Sequence, residues 1–130
     1  VSDDIQELLR ELQKTYLASI PEKIAAIQTL FEANHLKLLK TDFHKLKGTG
    51  RTYGLPEVTQ IGEAMEQIVA SADPAAINEA VPLSIELLGD IAQLRALGEI
   101  PQIEKSPAFM RIVKILTAQH RPDGNGQKTA

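Results

Sequence analysis

The run Phe43-His44-Lys45-Leu46-Lys47-Gly48 places a lysine three residues and a glycine four residues after a histidine, with Gly54 six residues further on. On a helix, positions three and four apart share a face, so Lys40, His44, Lys47, Gly48 and Arg51 line up on one side. A neutral imidazole carries a lone pair on one ring nitrogen, and the surrounding lysines disfavour a further cation, so His44 is expected to be nucleophilic near neutral pH. Lys47, one turn along, can neutralise an anion bonded to that nitrogen. Gly48 leaves a gap on the same face. Glycine inside a helix costs about 1 kcal/mol relative to alanine, and the close approach of a partner is a reason to keep it there. A nucleophile, a charge partner and a cleared approach together suggest phosphoryl acceptance.

Other uses of these residue types fit less well. His35, His44 and His120 lack the i, i+4 pairing with a nearby carboxylate that helical zinc sites use, so no metal site is expected. With no cysteine and no strand-turn-helix segment to mount a nucleophilic serine, acyl-transfer chemistry is unsupported. There is no glycine-rich phosphate loop for ATP, so phosphate must arrive from another protein or domain.

At these residues the chain resembles the histidine-containing phosphotransfer (HPt) domains of multistep two-component signalling. Their signature is a helical His-x-x-Lys-Gly followed by a glycine six residues later, here His44, Lys47, Gly48 and Gly54. The match runs on through Leu55-Pro56-Glu57-Val58 to Ala64-Met65-Glu66. The resemblance implies that His44 accepts phosphate from a receiver aspartate and returns it to another, with Lys47 as electrostatic partner and Gly48 as clearance for the docking receiver. It also gives Glu66 the task of holding the other imidazole nitrogen, although from its residue type alone Glu66 reads as a solvated helix residue. Lys40, Lys45 and Arg51 read as a solvated basic face that steers partner encounter. The departure from the family is Thr49-Gly50-Arg51, where many members carry small serine or alanine residues, and Gly50 is expected to loosen the end of its helix.

The resemblance implies a phosphocarrier and not an autonomous enzyme. Its partners would be response-regulator receiver domains and a histidine kinase; it needs no cofactor of its own, and the receiver brings the divalent ion that assists transfer. Two alternatives stand beside it. One is the phospho-accepting N-terminal domain of a chemotaxis-type kinase, charged from ATP by a kinase domain elsewhere; the other is a helical interaction module that keeps the fold and passes no phosphate.

Composition is compatible with this assignment. In 130 residues, 43% are hydrophobic, 24% charged and only 4% aromatic, so aliphatic side chains must fill one core. The formal net charge of −3 argues against general nucleic-acid binding. Against that balance, residues 37–51 hold Lys37, Lys40, Lys45, Lys47 and Arg51 with the single acidic Asp42, a local field suited to an acidic partner. No run reaches the roughly 18 apolar residues of a membrane span, and the acidic start Val1-Ser2-Asp3-Asp4 lacks the basic opening of a signal peptide. A cytoplasmic monomer is expected.

The elements that must position the site are helical throughout. Ile5, Leu8, Leu9, Leu12 and Tyr16 keep helical spacing in a first helix. Ser19-Ile20-Pro21-Glu22 has the pattern of a capping box before a second, carrying Ile24, Ile27, Leu30 and Phe31, with Asn34 as its stop. The third spans about His35 to Thr52, and its stripe Leu36, Leu39, Phe43, Leu46, Gly50 and Tyr53 sets His44 beside the core rather than within it. Pro56 opens a fourth with Val58, Ile61, Met65, Ile68 and Val69 inward, and a fifth covers Ala75 to Ala96, where Pro82 predicts a kink or a break. Short connections make this an all-α protein, an antiparallel four-helix bundle with an N-terminal covering helix. The bundle occupies 1–98, an extension with a short amphipathic helix (Phe109, Ile112, Val113, Leu116) occupies 99–118, and 119–130 has the composition of a disordered tail.

Overall fold

The computed structural model describes residues 2–119. Six α-helices follow one another: α1 (Ser2–Ala18), α2 (Ile20–Glu32), α3 (Leu36–Thr52), α4 (Pro56–Ala70), α5 (Pro74–Ala96) and α6 (Pro107–Gln119), with a short 3-10 turn at Ile103–Lys105. No strand occurs among the described residues. Helices α2 to α5 form the expected four-helix bundle, each packed on its two neighbours, and α1 lies against α5 and α2.

The connections explain the tight turns. Asn34, at φ 59°, ends α2 while His35 N–H donates to Leu30 O and Asn34 N–H to Phe31 O, closing two orphan carbonyls. Gly54, at φ 70°, does the same for α3: Leu55 N–H donates to Gly50 O at 2.7 Å and Gly54 N–H to Arg51 O. Pro56 then starts α4 in its first turn, where its missing N–H leaves no gap. Asp73 caps α5 by accepting from Ala75 N–H.

Two local expectations are corrected. Ser19 forms no capping box: its backbone stays helical at φ −87°, ψ −7°, and its hydroxyl turns back to Tyr16 O. A cap needs an extended backbone to aim its oxygen at the next turn, so α1 runs almost directly into α2. Of the two outcomes expected at Pro82, the break does not occur: α5 is continuous through it. Ile77, Ala80, Val81, Ser84, Leu87 and Leu88 keep the buried spacing across the proline, while Pro82 itself faces solvent. Packing of that face outweighs a penalty of about 3 kcal/mol.

The core is aliphatic, as the composition requires, with Phe43 the single fully buried aromatic among the described residues. Removing a buried phenylalanine costs about 3–5 kcal/mol, so position 43 strongly holds the register that leaves position 44 outside. Arg95, in the last turn of α5, makes two hydrogen bonds of 2.6 and 3.0 Å to the buried carboxylate of Glu57 in the first turn of α4.

The outer helices depart from simple coverage. In α1 only Tyr16 of the apolar set is buried, stacking on Tyr53 and sharing a 2.7 Å hydrogen bond with Thr49; Ile5, Leu8, Leu9 and Leu12 stay 43–58% exposed. Helix α6 packs on α4 and α5 through Ile112 and Ile115. Its last residue, Gln119, donates to Ser71 Oγ at 2.7 Å, so position 119 belongs to the helix and not to the tail. The remainder of the expected disordered tail, and His120, lie outside the described residues. Among the described residues no helix is long and apolar enough to cross a membrane.

Candidate functional site

Helix α3 turns Leu39, Phe43, Leu46 and Gly50 inward, and this fixes the outward direction of the residues between them. The His44 side chain is 63% exposed. Its Nδ1 lies 2.9 Å from Oε2 of Glu66, which α4 presents from the neighbouring position in the bundle. The other oxygen of the same carboxylate, Oε1, is 3.1 Å from Nζ of Lys47. One carboxylate therefore bridges imidazole and ammonium. Glu66, expected from its residue type to be solvated, has a side chain only 19% exposed.

Partial burial acts to raise the Glu66 carboxyl, but hydrogen bonds from Lys47 and His44, reinforced by their charges, outweigh it and hold the group below the usual carboxylate range. It is ionised at neutral pH and can only accept hydrogen bonds. For a neutral imidazole, the proton between the two groups must then sit on Nδ1, which leaves Nε2 with its lone pair.

Gly48 is exposed, and beyond its immediate neighbours and the adjoining backbone of its own helix a Cβ built there meets no atom within 4 Å. Lys40 and Arg51 are exposed on the same helix, before and after the His44–Lys47 pair. Lys45 turns the other way: with Glu22, Lys23, Asp42 and Thr49 it lines an open groove of about 400 Å³ between α2 and α3. The basic stretch is thus divided between two sides of α3. Gly54 serves the turn after the helix and lies away from the imidazole. His35 is the N-cap residue of α3, and among the described residues no group of three or more His, Cys, Asp or Glu could hold a metal ion.

What the sequence reading missed is the seam that brings α4 so near. Gly50, expected to loosen α3, is buried, and a Cβ on it would stand 2.6 Å from both N and Oγ1 of Thr59. A Cβ on Gly62 would stand 2.5 Å from Lys47 N and 2.8 Å from Phe43 O. Thr59 Oγ1 donates to Lys47 O at 3.2 Å. The spacing of Thr59, Gly62 and Glu66, three and four residues apart on α4, places them on one face but does not specify what that face meets.

An ionised carboxylate anchoring one imidazole nitrogen, with the other nitrogen exposed beside a lysine and a bare glycine, is an arrangement able to accept and release a small anionic group. Neither a curated protein nor a solved structure was found to match the chain. Compared with models of protein families, residues 3–97 match the Hpt domain, and the chain belongs to this family of phosphotransfer domains of two-component signalling.

Proposed function

We propose that the protein is a phosphocarrier that holds a phosphoryl group on Nε2 of His44 and exchanges it with receiver-domain aspartates. The observation that carries this reading is the Glu66 bridge, because it leaves Nε2 as the free nitrogen of an exposed imidazole. In the accepting step the Nε2 lone pair forms the N–P bond as the O–P bond to the receiver aspartate breaks, its electron pair returning to that carboxylate. No proton has to leave first. The ring becomes cationic while Nδ1 keeps its proton, and the Glu66 carboxylate offsets that charge. Lys47 faces the charge of the transferred group, and the open surface at Gly48 admits the receiver backbone. Transfer of this kind needs positioning and charge stabilisation more than covalent chemistry.

Lys40 and Arg51 steer the acidic receiver toward the site, with Lys45 acting from the α2 side. The receiver supplies the divalent ion, and the carrier, a monomer in the cytoplasm, needs no cofactor. The test is transfer from a radiolabelled phospho-receiver to wild type and to His44→Gln. Acid-labile, base-stable label on wild type alone is the expected result; label on His44→Gln would place the acceptor elsewhere.

A further inference from the structure

We infer that Gly62 is the positioning residue of this site: by letting the α4 backbone touch α3, it brings Glu66 within reach of His44 Nδ1 and so sets the fraction of His44 that presents a bare Nε2. This rests on the reading of His44 as phosphoryl acceptor and adds a residue that does not itself touch the reacting atoms.

Thr59, Gly62 and Glu66 share the α4 face that meets α3. At Gly62 the atoms a Cβ would meet are backbone: Lys47 N at 2.5 Å, Phe43 O at 2.8 Å and Lys47 Cα at 2.9 Å. Backbone inside a helix cannot swing aside as a side chain can, so any side chain at 62 must push α4 outward. Restoring ordinary van der Waals contact requires a retreat of roughly 1 Å, and Glu66 is the next residue on the same face, one turn further on. Such a retreat carries the 2.9 Å contact with His44 beyond hydrogen-bond range. The two partners of Glu66 respond differently. Lys47 reaches the carboxylate through a long flexible stem and can follow it, whereas the imidazole turns about only two side-chain torsions. The expected loss is therefore the histidine bond, with the lysine bond retained. Once unanchored, the imidazole proton passes freely between nitrogens, and the form protonated on Nε2 has no lone pair there with which to attack phosphorus.

The experiment uses the full chain as wild type, Gly62→Ala, Glu66→Ala, the double variant Gly62→Ala/Glu66→Ala, and Glu66→Asp. Nitrogen-15 NMR of the His44 ring reads which nitrogen holds the proton, and acceptance of label from a phospho-receiver reads reactivity. In wild type the proton sits on Nδ1. In Gly62→Ala it moves toward Nε2 while the protein keeps its helicity, and acceptance slows by roughly tenfold, by analogy with the loss when the hydrogen-bond partner of a metal-ligating histidine is removed. Because Gly62 acts through Glu66, the double variant should be no slower than Glu66→Ala. Glu66→Asp withdraws the carboxylate by one methylene while leaving Gly62 in place, and should move the proton in the same way with helicity retained, so the link from Glu66 to the tautomer is read even where Gly62→Ala fails to fold. An unmoved Nδ1 proton in Gly62→Ala or in Glu66→Asp, or a double variant slowed by the product of the two single effects, would overturn the inference. Failure of wild type to take phosphate from any receiver would instead strike the carrier reading, and the ring tautomer would still decide the role of Gly62.

Discussion

Substituting Gly48 should make the protein more stable and less able to serve its partner. The residue lies inside α3, its φ is not among the positive values found at Gly54 and Gly98, and a Cβ there meets nothing within 4 Å. An L-residue is therefore unstrained and uncrowded at this position. Gly48→Ala should gain the helix-propensity difference of about 1 kcal/mol, raising the melting temperature by about 3–5 °C for a domain of this size. The same change narrows the approach beside Lys47, and Gly48→Gln narrows it further. Expected rates of exchange with a phospho-receiver fall with side-chain size, to roughly a tenth or less for Gly48→Gln, equivalent to about 1.4 kcal/mol of lost complementarity. Thermal melts and transfer kinetics are read on the same samples, with a small-molecule phosphoryl donor as control, because that donor needs no protein docking and should label every variant at the wild-type rate. A lowered melting temperature for Gly48→Ala would mean that the glycine serves the fold. Wild-type exchange by Gly48→Gln would remove the clearance argument altogether. If both expectations hold, position 48 trades stability for access, as functional positions often do.

Other perturbations separate site from scaffold. His44→Gln should leave stability within about 1 kcal/mol of wild type in urea melts, since the imidazole is largely exposed, and unfolding would contradict its placement beside the core. Lys47→Ala should slow acceptance or shorten the lifetime of the phosphohistidine, measured by decay of the acid-labile label; an unchanged lifetime together with an unchanged rate would leave the ammonium as a structural partner of Glu66 only. Arg95→Met leaves the 3% exposed Glu57 without its partner and should cost about 3–5 kcal/mol, most of it recovered in Glu57→Leu/Arg95→Met; equal loss in the double variant would show that packing, not the stranded charge, was at fault. The Glu66 carboxyl is held lower in the folded than in the unfolded chain, so its contribution is complete above the ordinary carboxylate range and lost as pH falls through the folded value. Glu66→Gln should flatten this acid limb of stability against pH, by a modest amount because the group remains partly in contact with water, and identical limbs would contradict the bridge.

Much of the scaffold could be read from periodicity because burial and helical spacing are two descriptions of the same face. The stripe through Leu39, Phe43 and Leu46 is buried as its spacing requires, and that alone places His44 outside. Contacts between helices obey no such rule. The α1 stripe through Ile5, Leu8, Leu9 and Leu12 is as regular as any in the chain and is left in solvent, since spacing states which face is apolar and not what covers it. Glu66 lies 22 residues from His44, and whether it reaches the imidazole depends on how closely α4 approaches α3, which no local pattern specifies.

That approach is governed by glycines that look alike in the sequence. At Gly50 and Gly62 a methyl group would strike the backbone of the neighbouring helix; at Gly48 it would meet open space. The same residue type thus closes one side of α3 and clears the other. Both are needed if an imidazole is to be held from behind by a carboxylate and approached from in front by a protein. A helix that met α4 through larger side chains would keep the bundle but move Glu66 away from Nδ1, and one that carried a side chain at 48 would keep the anchored imidazole but hinder the partner. Distinguishing the glycine that serves the fold from the one that serves the encounter requires knowing what a Cβ would touch, and that is a property of the packed helices rather than of the motif.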